Sequence, residues 1–571
     1  MNLEDLAGSA IPKWFRAMFL ARRMGARMGF SKGDRELPEH PEAPVAIKDG
    51  VGRNILFITV DQQRFDALGT NGGLVAKTPH LDQIAQRGLN YHRAHVQNVV
   101  CMPSRATMLS GLYPMTHGVV ANGIQVPRST PSVAEHLRRA GYRTALIGKA
   151  HFDPHLDLTL RHYENRSAAA GKPKVWHGFE HTEFAAHGPV GGHHYAAWLW
   201  DNHPRDADGF AAVLTGAGGG DTGGPEITHN PMPVERYHTA WVAQRTINWL
   251  DGLDTDQRWF CWMSFPDPHH PFDPPYEEVK KRVRWRDLDL PATYLSSKEA
   301  VKSLARRPQH WLDWYEGRFR NPEGGPTQFV PGKMTPDMVR EINAMIHVEN
   351  ELIDDACGRV FRWLEEKGLR DRTDIIFTSD HGELQGDYGL MFKGPYHVDS
   401  LLRVPLIWKR ATHDDSLVIK APVGHIDLAP TFCQIAGLRV PTWMQGNPLP
   451  QDTDAPAHER VITTFDSQFA AVGMHLRTIF RDGYTCTVYE PSTRNQGGQF
   501  PIYWRLWGRE TTVPKFFGHE GELYDSNADP HQYDNLWSDP ARQSLKKDLI
   551  DDLYRNLPRP KLPPLHPTAP T

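Results

Sequence analysis

The sequence predicts an α/β protein: a large mixed, mostly parallel sheet flanked by helices, followed by a smaller C-terminal α+β subdomain with antiparallel strands. Two observations carry this. Four short apolar runs lack alternation, NILFITV (54–60), YRTALI (142–147), WFCWMSF (259–265) and DIIFTS (374–379). Strands buried on both faces look like this, and helical segments alternate with them. From about residue 455 the texture changes to VITTFDS, HLRTIFRDGYTCTVYEP and GELYDSN, short strands with Asp482-Gly483 as a hairpin turn.

The elements follow in order. Residues 1–53 form an N-terminal arm and linker. Its first 30 residues suit a basic amphipathic helix, with Ile11, Trp14, Phe15, Met18 and Phe19 at helical spacing. Packing on the protein's own body or on a partner subunit is preferred for it over contact with a membrane surface. Thr78-Pro79 opens a helix that Gly88 closes, and Thr130-Pro131 opens another that runs to Arg139 before Gly141. Thr335-Pro336 starts a long helix over about 336–367. Its apolar stripe is Ile342, Ile346, Ile353, Ala356, Val360 and Leu364, and Gly368 stops it. The catalytic α/β domain is expected over 54–454 and the C-terminal subdomain over 455–557, closing on a helix at about 540–556. The Pro-rich residues 558–571 are a tail or an inter-subunit arm, and with the N-terminal arm they favour a homo-oligomer.

A length of 571 residues favours more than one domain. A net charge of −4 gives no basic footprint for nucleic acid. The five cysteines, at 101, 261, 357, 433 and 486, are sparse and contain no Cys-x-x-Cys pair, which suits a reducing compartment and excludes a zinc ribbon. No apolar run reaches the ~20 residues that span a bilayer. The acidic start, and Lys13, Arg16, Arg22 and Arg23 within the apolar stretch, argue against a secretory signal, so a cytoplasmic protein is expected.

Ligands on such sheets bind beyond the carboxyl ends of the strands. That singles out Asp61-Gln62 and Asp380-His381. Either aspartate alone would serve as a strand-terminal cap. Two such pairs at equivalent topological places favour a divalent metal that relieves their repulsion, with Ca²⁺ preferred and Mg²⁺ or Mn²⁺ as alternatives. Cys101-Met102-Pro103-Ser104-Arg105 is the most specific feature. With 5 Cys, 46 Pro and 64 Lys+Arg, Cys-x-Pro-x-[Lys/Arg] is expected by chance about 0.05 times. The following residues suit a helix ending at Gly111, which places Cys101 at a helix N-terminus, where an anionic nucleophile or oxyanion is favoured.

NILFITVDQ, CMPSRATMLSGLYPMTHGV, GYRTALIGKAHF, IIFTSDHGE and ELYDSNADPHQYDNL resemble consecutive landmarks of the sulfatase family, within the alkaline phosphatase-like superfamily of metal-dependent hydrolases. The resemblance implies hydrolysis of a small-molecule organic sulfate monoester to alcohol and inorganic sulfate. It also implies that a maturation enzyme oxidises Cys101 to formylglycine, whose hydrate binds one divalent metal together with Asp61, Gln62, Asp380 and His381 and attacks sulfur. By the same resemblance Arg105 steadies the hydrate, Lys149 and Lys393 hold sulfate oxygens, and His269 protonates the leaving alcohol. His151 assists sulfate release, and Asn122 donates a hydrogen bond to substrate. His270 competes with His269 for the acid role; the place of His269 directly after Asp267-Pro268 favours it.

Many sulfatases have Asp where Gln62 stands and Asn where His381 stands. The lower negative charge here loosens selectivity toward Mn²⁺. Asp-Gln with Asp-His also resembles phosphonate monoester hydrolases and choline-sulfatase-like enzymes. The phosphonate hydrolases tend to have Tyr and Thr in place of Lys149 and His151, so this pair favours sulfate. Phosphonate monoester or phosphodiester hydrolysis with the same nucleophile is the alternative. A non-catalytic membrane-surface binding protein is the alternative of another class, disfavoured because no metal or nucleophile residue is missing. Residues 155–235, rich in His, Trp and Gly, have no clear periodicity. Loops over strand ends shape pockets, and pocket lining is preferred here over a metal-binding tract.

Overall fold

A computed structural model describes residues 42–47, 52–155, 157, 161–170, 175–189, 192–214, 219–321, 323, 325–326, 329–414, 416–453, 458–467, 472–494 and 514–569. The expected N-terminal amphipathic helix lies outside the described residues.

The main sheet has eight strands: β1 Asn54–Val60, β2 Leu89–Tyr91, β3 Arg143–Gly148, β4 His181–Phe184, β5 Trp259–Ser264, β6 Thr373–Ser379, β7 Leu406–Lys409 and β8 Leu417–Ile419. Their spatial order is β4-β3-β5-β1-β6-β7-β2-β8. All neighbours run parallel except β7, which is antiparallel to both β6 and β2. The absence of alternation in β1 has a direct cause. Ile55 and Phe57 pack into one apolar layer and Leu56, Ile58 and Val60 into the other, all fully buried, so both faces of the strand need apolar side chains.

Seven helices matter for the argument: α1 Pro79–Gln86, α2 Cys101–Ser110, α3 Val133–Arg139, α4 His238–Asp251, α5 Pro336–Glu366, α6 Leu428–Ile435 and α7 Gln543–Asn556. Helix α5 begins as expected, with the Thr335 hydroxyl accepting from Met338 N at 3.2 Å, and its six predicted stripe residues are buried. Two caps differ from expectation. Thr78 does not cap α1 with its side chain; Asp354 of α5 does so across the helix pair, accepting from His80 N at 3.1 Å and Leu81 N at 2.8 Å. Helix α3 starts two residues later than Pro131, capped by Ser132, whose hydroxyl accepts from Glu135 N. A tertiary carboxylate and a nearer hydroxyl displaced the local signals.

The C-terminal strands β9 Val461–Asp466, β10 His475–Arg481, β11 Tyr484–Tyr489 and β12 Gly521–Asp525 form an antiparallel sheet in that order. Asp482 and Gly483 both have positive φ, 54° and 81°, the backbone that a two-residue hairpin requires. Leu549 and Leu553 of α7 cover Ile479 and Cys486. This sheet also braces the approach to α2. Asn98 Nδ2 donates to Thr464 O at 2.6 Å, and Asn98 Oδ1 accepts from Val100 N at 3.0 Å. The Pro-rich tail lies against its own chain without regular structure: Lys561 N donates to Met115 O at 2.7 Å and Thr568 N to Gly123 O at 2.8 Å. Among the described residues no helix is long and apolar enough to cross a membrane.

Candidate active site

Four adjacent strands, β3, β5, β1 and β6, deliver their carboxyl ends to one place. The register pairs Val60 with Ser379, which sets Asp61 beside Asp380, and Asp380 N donates to Val60 O at 3.1 Å. Strand β3 continues into Lys149, whose N–H donates to Ser264 O at 2.8 Å. Gly148 permits this closeness: its φ is 107°, and a Cβ there would collide with the Ser264 carbonyl. Strand β5 leads through Asp267 to His269. Helix α2 points its N-terminus at the same spot, with Cys101 as its first residue and Gly111 closing it at φ 67°.

The ligand atoms of Asp61, Cys101, Asp380 and His381 all lie within 4.8 Å of one another, and all four residues are buried. Cys101 Sγ is 3.1 Å from His381 Nε2 and 3.6 Å from Asp61 Oδ1. The two carboxylates share a division of labour. Asp380 Oδ2 accepts from Arg105 Nε at 2.6 Å, and Asp61 Oδ2 is 2.6 Å from Lys149 Nζ and 3.6 Å from Arg105 Nη2. Their Oδ1 atoms instead face His381 Nε2, at 3.5 Å and 3.7 Å. Much of the carboxylate repulsion expected from sequence is therefore relieved by the chain's own cations. The case for a metal rests on the donor set. His381 Nδ1 sits 3.0 Å from Gly382 O, and a proton on Nδ1 leaves the Nε2 lone pair facing both Oδ1 atoms. Two carboxylate oxygens, an imidazole nitrogen and the Cys101 position converge as ligands of one small cation would.

Gln62 has φ 68°, and its N–H donates to Asp380 Oδ1 at 3.1 Å. Its side-chain oxygen accepts from Lys393 Nζ at 3.0 Å, and its amide nitrogen donates to Glu383. Lys393 Nζ also stands 3.2 Å from Cys101 Sγ, 3.2 Å from His381 Nε2 and 2.7 Å from His269 Nε2. An ammonium has three hydrogens, so these four contacts share it. Arg105, wholly buried, ties the floor together: Nη1 donates to Lys149 O at 2.8 Å and to Ser264 Oγ at 2.9 Å. Asn122 Oδ1 accepts from Met102 N at 3.0 Å, and Asn122 Nδ2 donates to Glu323 Oε2 at 2.8 Å. His151 is on the same turn as Lys149. Its ring stacks on His155 at 3.9 Å and makes no hydrogen bond among the described residues.

Burial pushes the Cys101 thiol up to about 12, with Asp61 adding to it against Lys393 and Lys149; the unmodified side chain is a thiol rather than a thiolate. Burial alone would raise Asp61, yet the cations Lys149, Lys393 and Arg105 hold it well below the usual carboxylate range. Burial and the neighbouring Lys393 push His269 well down, which makes it the acceptor in its contact with the lysine ammonium.

Sequence reasoning missed several residues. Glu383 orients Gln62 and also accepts from Gln385 N at 3.1 Å and from Phe392 N; its signal was its place in SDHGE, two residues after His381. Glu164 accepts from the N–H groups of His151, Phe152 and Asp153 and fixes the turn after β3. Glu323 comes from a loop with no motif. The region 155–235 does border the site, with His187 4.9 Å from His269 between ring centres.

The Sulfatase family model matches residues 53–438. An arylsulfatase of Clostridium perfringens is 27% identical, covering 69% of this chain and 76% of its own. A multifunctional alkaline phosphatase superfamily protein of Trinickia caryophylli is 27% identical over 87% of this chain and 93% of its own. Among solved structures, a phosphonate monoester hydrolase of Agrobacterium radiobacter superposes with TM-score 0.69 at 23% identity, covering 88% of this chain and 95% of that one, which shows the shared alkaline phosphatase-like fold. The match runs from the first residues of β1 through α6 and so contains the four strand ends that deliver the site, those of β3, β5, β1 and β6; the chain belongs to the sulfatase family of ester hydrolases.

Proposed function

We propose that this protein hydrolyses an organic sulfate monoester to alcohol and inorganic sulfate, with formylglycine made from Cys101 as its nucleophile. The observation that carries the reading is the position of Cys101, at the N-terminus of α2 with His381 and Lys393 within 3.2 Å of its sulfur. Formylglycine supplies a geminal diol as nucleophile, and a divalent cation held by Asp61, Gln62, Asp380 and His381, Ca²⁺ in preference to Mn²⁺ or Mg²⁺, supplies Lewis-acid charge beside it.

The chain's own residues do the rest. Lys393 places positive charge 3.2 Å from Cys101 Sγ and Lys149 places it 2.6 Å from Asp61 Oδ2, both near enough to act on Cys101 electrostatically, where non-bridging sulfate oxygens gain charge in the transition state. Arg105 holds Asp380, the Lys149 carbonyl and Ser264 in one rigid floor. An anionic ester draws protons toward neighbouring bases, so substrate raises the proton affinity of His269 and prepares it to protonate the leaving oxygen. His269 is preferred to His270 because its Nε2 meets Lys393, whereas His270 Nδ1 meets the Gln62 amide at 3.4 Å. His151, with no hydrogen-bond partner for its ring among the described residues, is assigned to sulfate release.

The phosphonate hydrolase likeness supports the second reading, with the same nucleophile and a different ester. The test is kcat/KM for a sulfate and a phosphonate ester of one phenol. A ratio favouring sulfate is expected, and one strongly favouring the phosphonate overturns the choice.

A further inference from the structure

His187 is an imidazole of the active site to which the reaction above gives no task. It lies beyond the carboxyl end of β4, the strand beside β3. Phe184 pairs with Gly148, and Ala185 N donates to Gly148 O at 3.1 Å, so the chain leaving β4 runs along the turn that carries Lys149. Gly188, at φ 66°, turns the chain directly after His187. The ring sits between two other imidazoles. His269 is 4.9 Å away between ring centres, tilted by 31°, and His238 is 6.2 Å away, edge to face. His238 is itself fixed, with Nε2 2.5 Å from Asp267 Oδ1.

Hydrogen bonding divides unevenly between the two facing rings. His269 Nδ1 donates to the His270 carbonyl, and its Nε2 meets the Lys393 ammonium, so both of its nitrogens are engaged. Both nitrogens of His187 are shielded from solvent and have no hydrogen-bond partner among the described residues. Buried polar atoms of a folded protein are almost always paired, which points to a partner that arrives with the substrate. The ring makes no hydrogen bond to Cys101, Asp61 or Lys149. Its neighbour is His269, on the side of the departing alcohol. Burial, and Lys149 after it, hold the proton affinity of His187 well down, so the ring is neutral, with one N–H to donate.

We propose that His187 donates a hydrogen bond to the ester oxygen that leaves with the alcohol, beside His269. The proposal rests on the sulfatase reading above. As the S–O bond breaks, its electron pair goes to that oxygen and His269 supplies the proton. The N–H of His187 stays on its ring and stabilises the negative charge that develops before the proton arrives.

The test is kcat/KM for p-nitrophenyl, p-cyanophenyl, p-chlorophenyl and phenyl sulfate, whose leaving phenolates are increasingly basic. Matured wild type is compared with three variants whose fold is checked by circular dichroism. His187→Phe keeps a flat ring without an N–H, and His187→Leu is a smaller side chain without one, so either decides if the other does not fold. His187→Gln keeps an N–H. The non-donating variants are expected to lose about threefold on p-nitrophenyl sulfate, rising to about 10–100-fold on phenyl sulfate, the size of one hydrogen bond to a charged group. His187→Gln is expected to recover most of the loss on phenyl sulfate. An equal loss on all four esters, no loss, or a loss that His187→Gln shares in full overturns the proposal. So does a displaced alkaline limb of the pH–rate profile, which marks His187 as a positioning residue for His269. Wild type that turns over none of the four contradicts the sulfatase reading itself.

Discussion

Replacing Lys393 by methionine keeps a linear side chain and removes one charge. Lys393 is 2% exposed, and its ammonium stands 3.2 Å from Cys101 Sγ and 2.7 Å from His269 Nε2. A unit charge about 4 Å from developing negative charge, at an effective dielectric near 20, contributes about 4 kcal/mol. Loss of one oxyanion-stabilising donor elsewhere costs about 2.7–4 kcal/mol. The two estimates agree on a fall of about 10²–10³-fold in kcat. Methionine cannot donate to Gln62 and no longer depresses His269, so Lys393→Met is also expected to move the alkaline limb of the pH–rate profile, where the general acid loses its proton, to higher pH. The assay is steady-state hydrolysis of p-nitrophenyl sulfate by matured protein across pH, with circular dichroism confirming the fold and mass spectrometry confirming equal maturation. Turnover within about fivefold of wild type in folded, matured Lys393→Met refutes the placement of this lysine on the sulfate.

Three further outcomes are expected. Glu383→Ala frees the Gln62 amide, and calorimetric titration with Ca²⁺ or Mn²⁺ should show affinity weakened about 10–100-fold, the usual effect of losing a residue that orients a ligand; unchanged affinity contradicts a ligand role for Gln62. Ending the chain at Leu557 removes the Lys561 N–Met115 O and Thr568 N–Gly123 O hydrogen bonds, the second next to Asn122. It should lower kcat/KM for p-nitrophenyl sulfate about three- to tenfold, mainly through KM, and an unchanged KM contradicts the bracing role. Glu183 titrates at about 2, because His181 and Arg245 outweigh the upward pull of burial. A depressed carboxyl stabilises the fold above its unfolded value near 4.5 and loses that effect as pH falls toward 2. Glu183→Gln should therefore lower the melting temperature at pH 7, by up to about 3 kcal/mol of stability, and the gap to wild type should narrow as pH falls through 4; a gap independent of pH contradicts the assignment.

Much of the site was legible because its residues sit where short-range signals are strong. Asp61 and Asp380 follow strands whose apolar runs cannot be anything but buried, and Cys101 precedes a proline that suits a helix's first turn. The long helix α5 was legible from its 3.6-residue stripe and its Thr-Pro start. The caps of α1 and α3 were not, because the deciding groups are a carboxylate 273 residues away from Leu81 and a serine competing with a nearby threonine. Glu323 left no trace in the sequence: its loop is placed by an Asn321 contact to the Lys393 backbone, which only the fold brings together. The need for a cation was inferred from carboxylate repulsion, whereas Arg105 and Lys149 relieve much of it; the inward-facing Oδ1 atoms and His381 Nε2 are the sounder argument, and no sequence pattern shows which oxygen faces where.

The central claim is that Cys101 becomes the nucleophile by oxidation to an aldehyde. The direct measurement is tandem mass spectrometry of the peptide containing Cys101, from protein produced beside a formylglycine-generating enzyme, with the modified fraction compared against specific activity on p-nitrophenyl sulfate. The account predicts an aldehyde, trapped by a hydrazide, in a fraction that rises in proportion to activity, and nearly no turnover in Cys101→Ala. Full activity in protein whose Cys101 remains an unmodified thiol would contradict it.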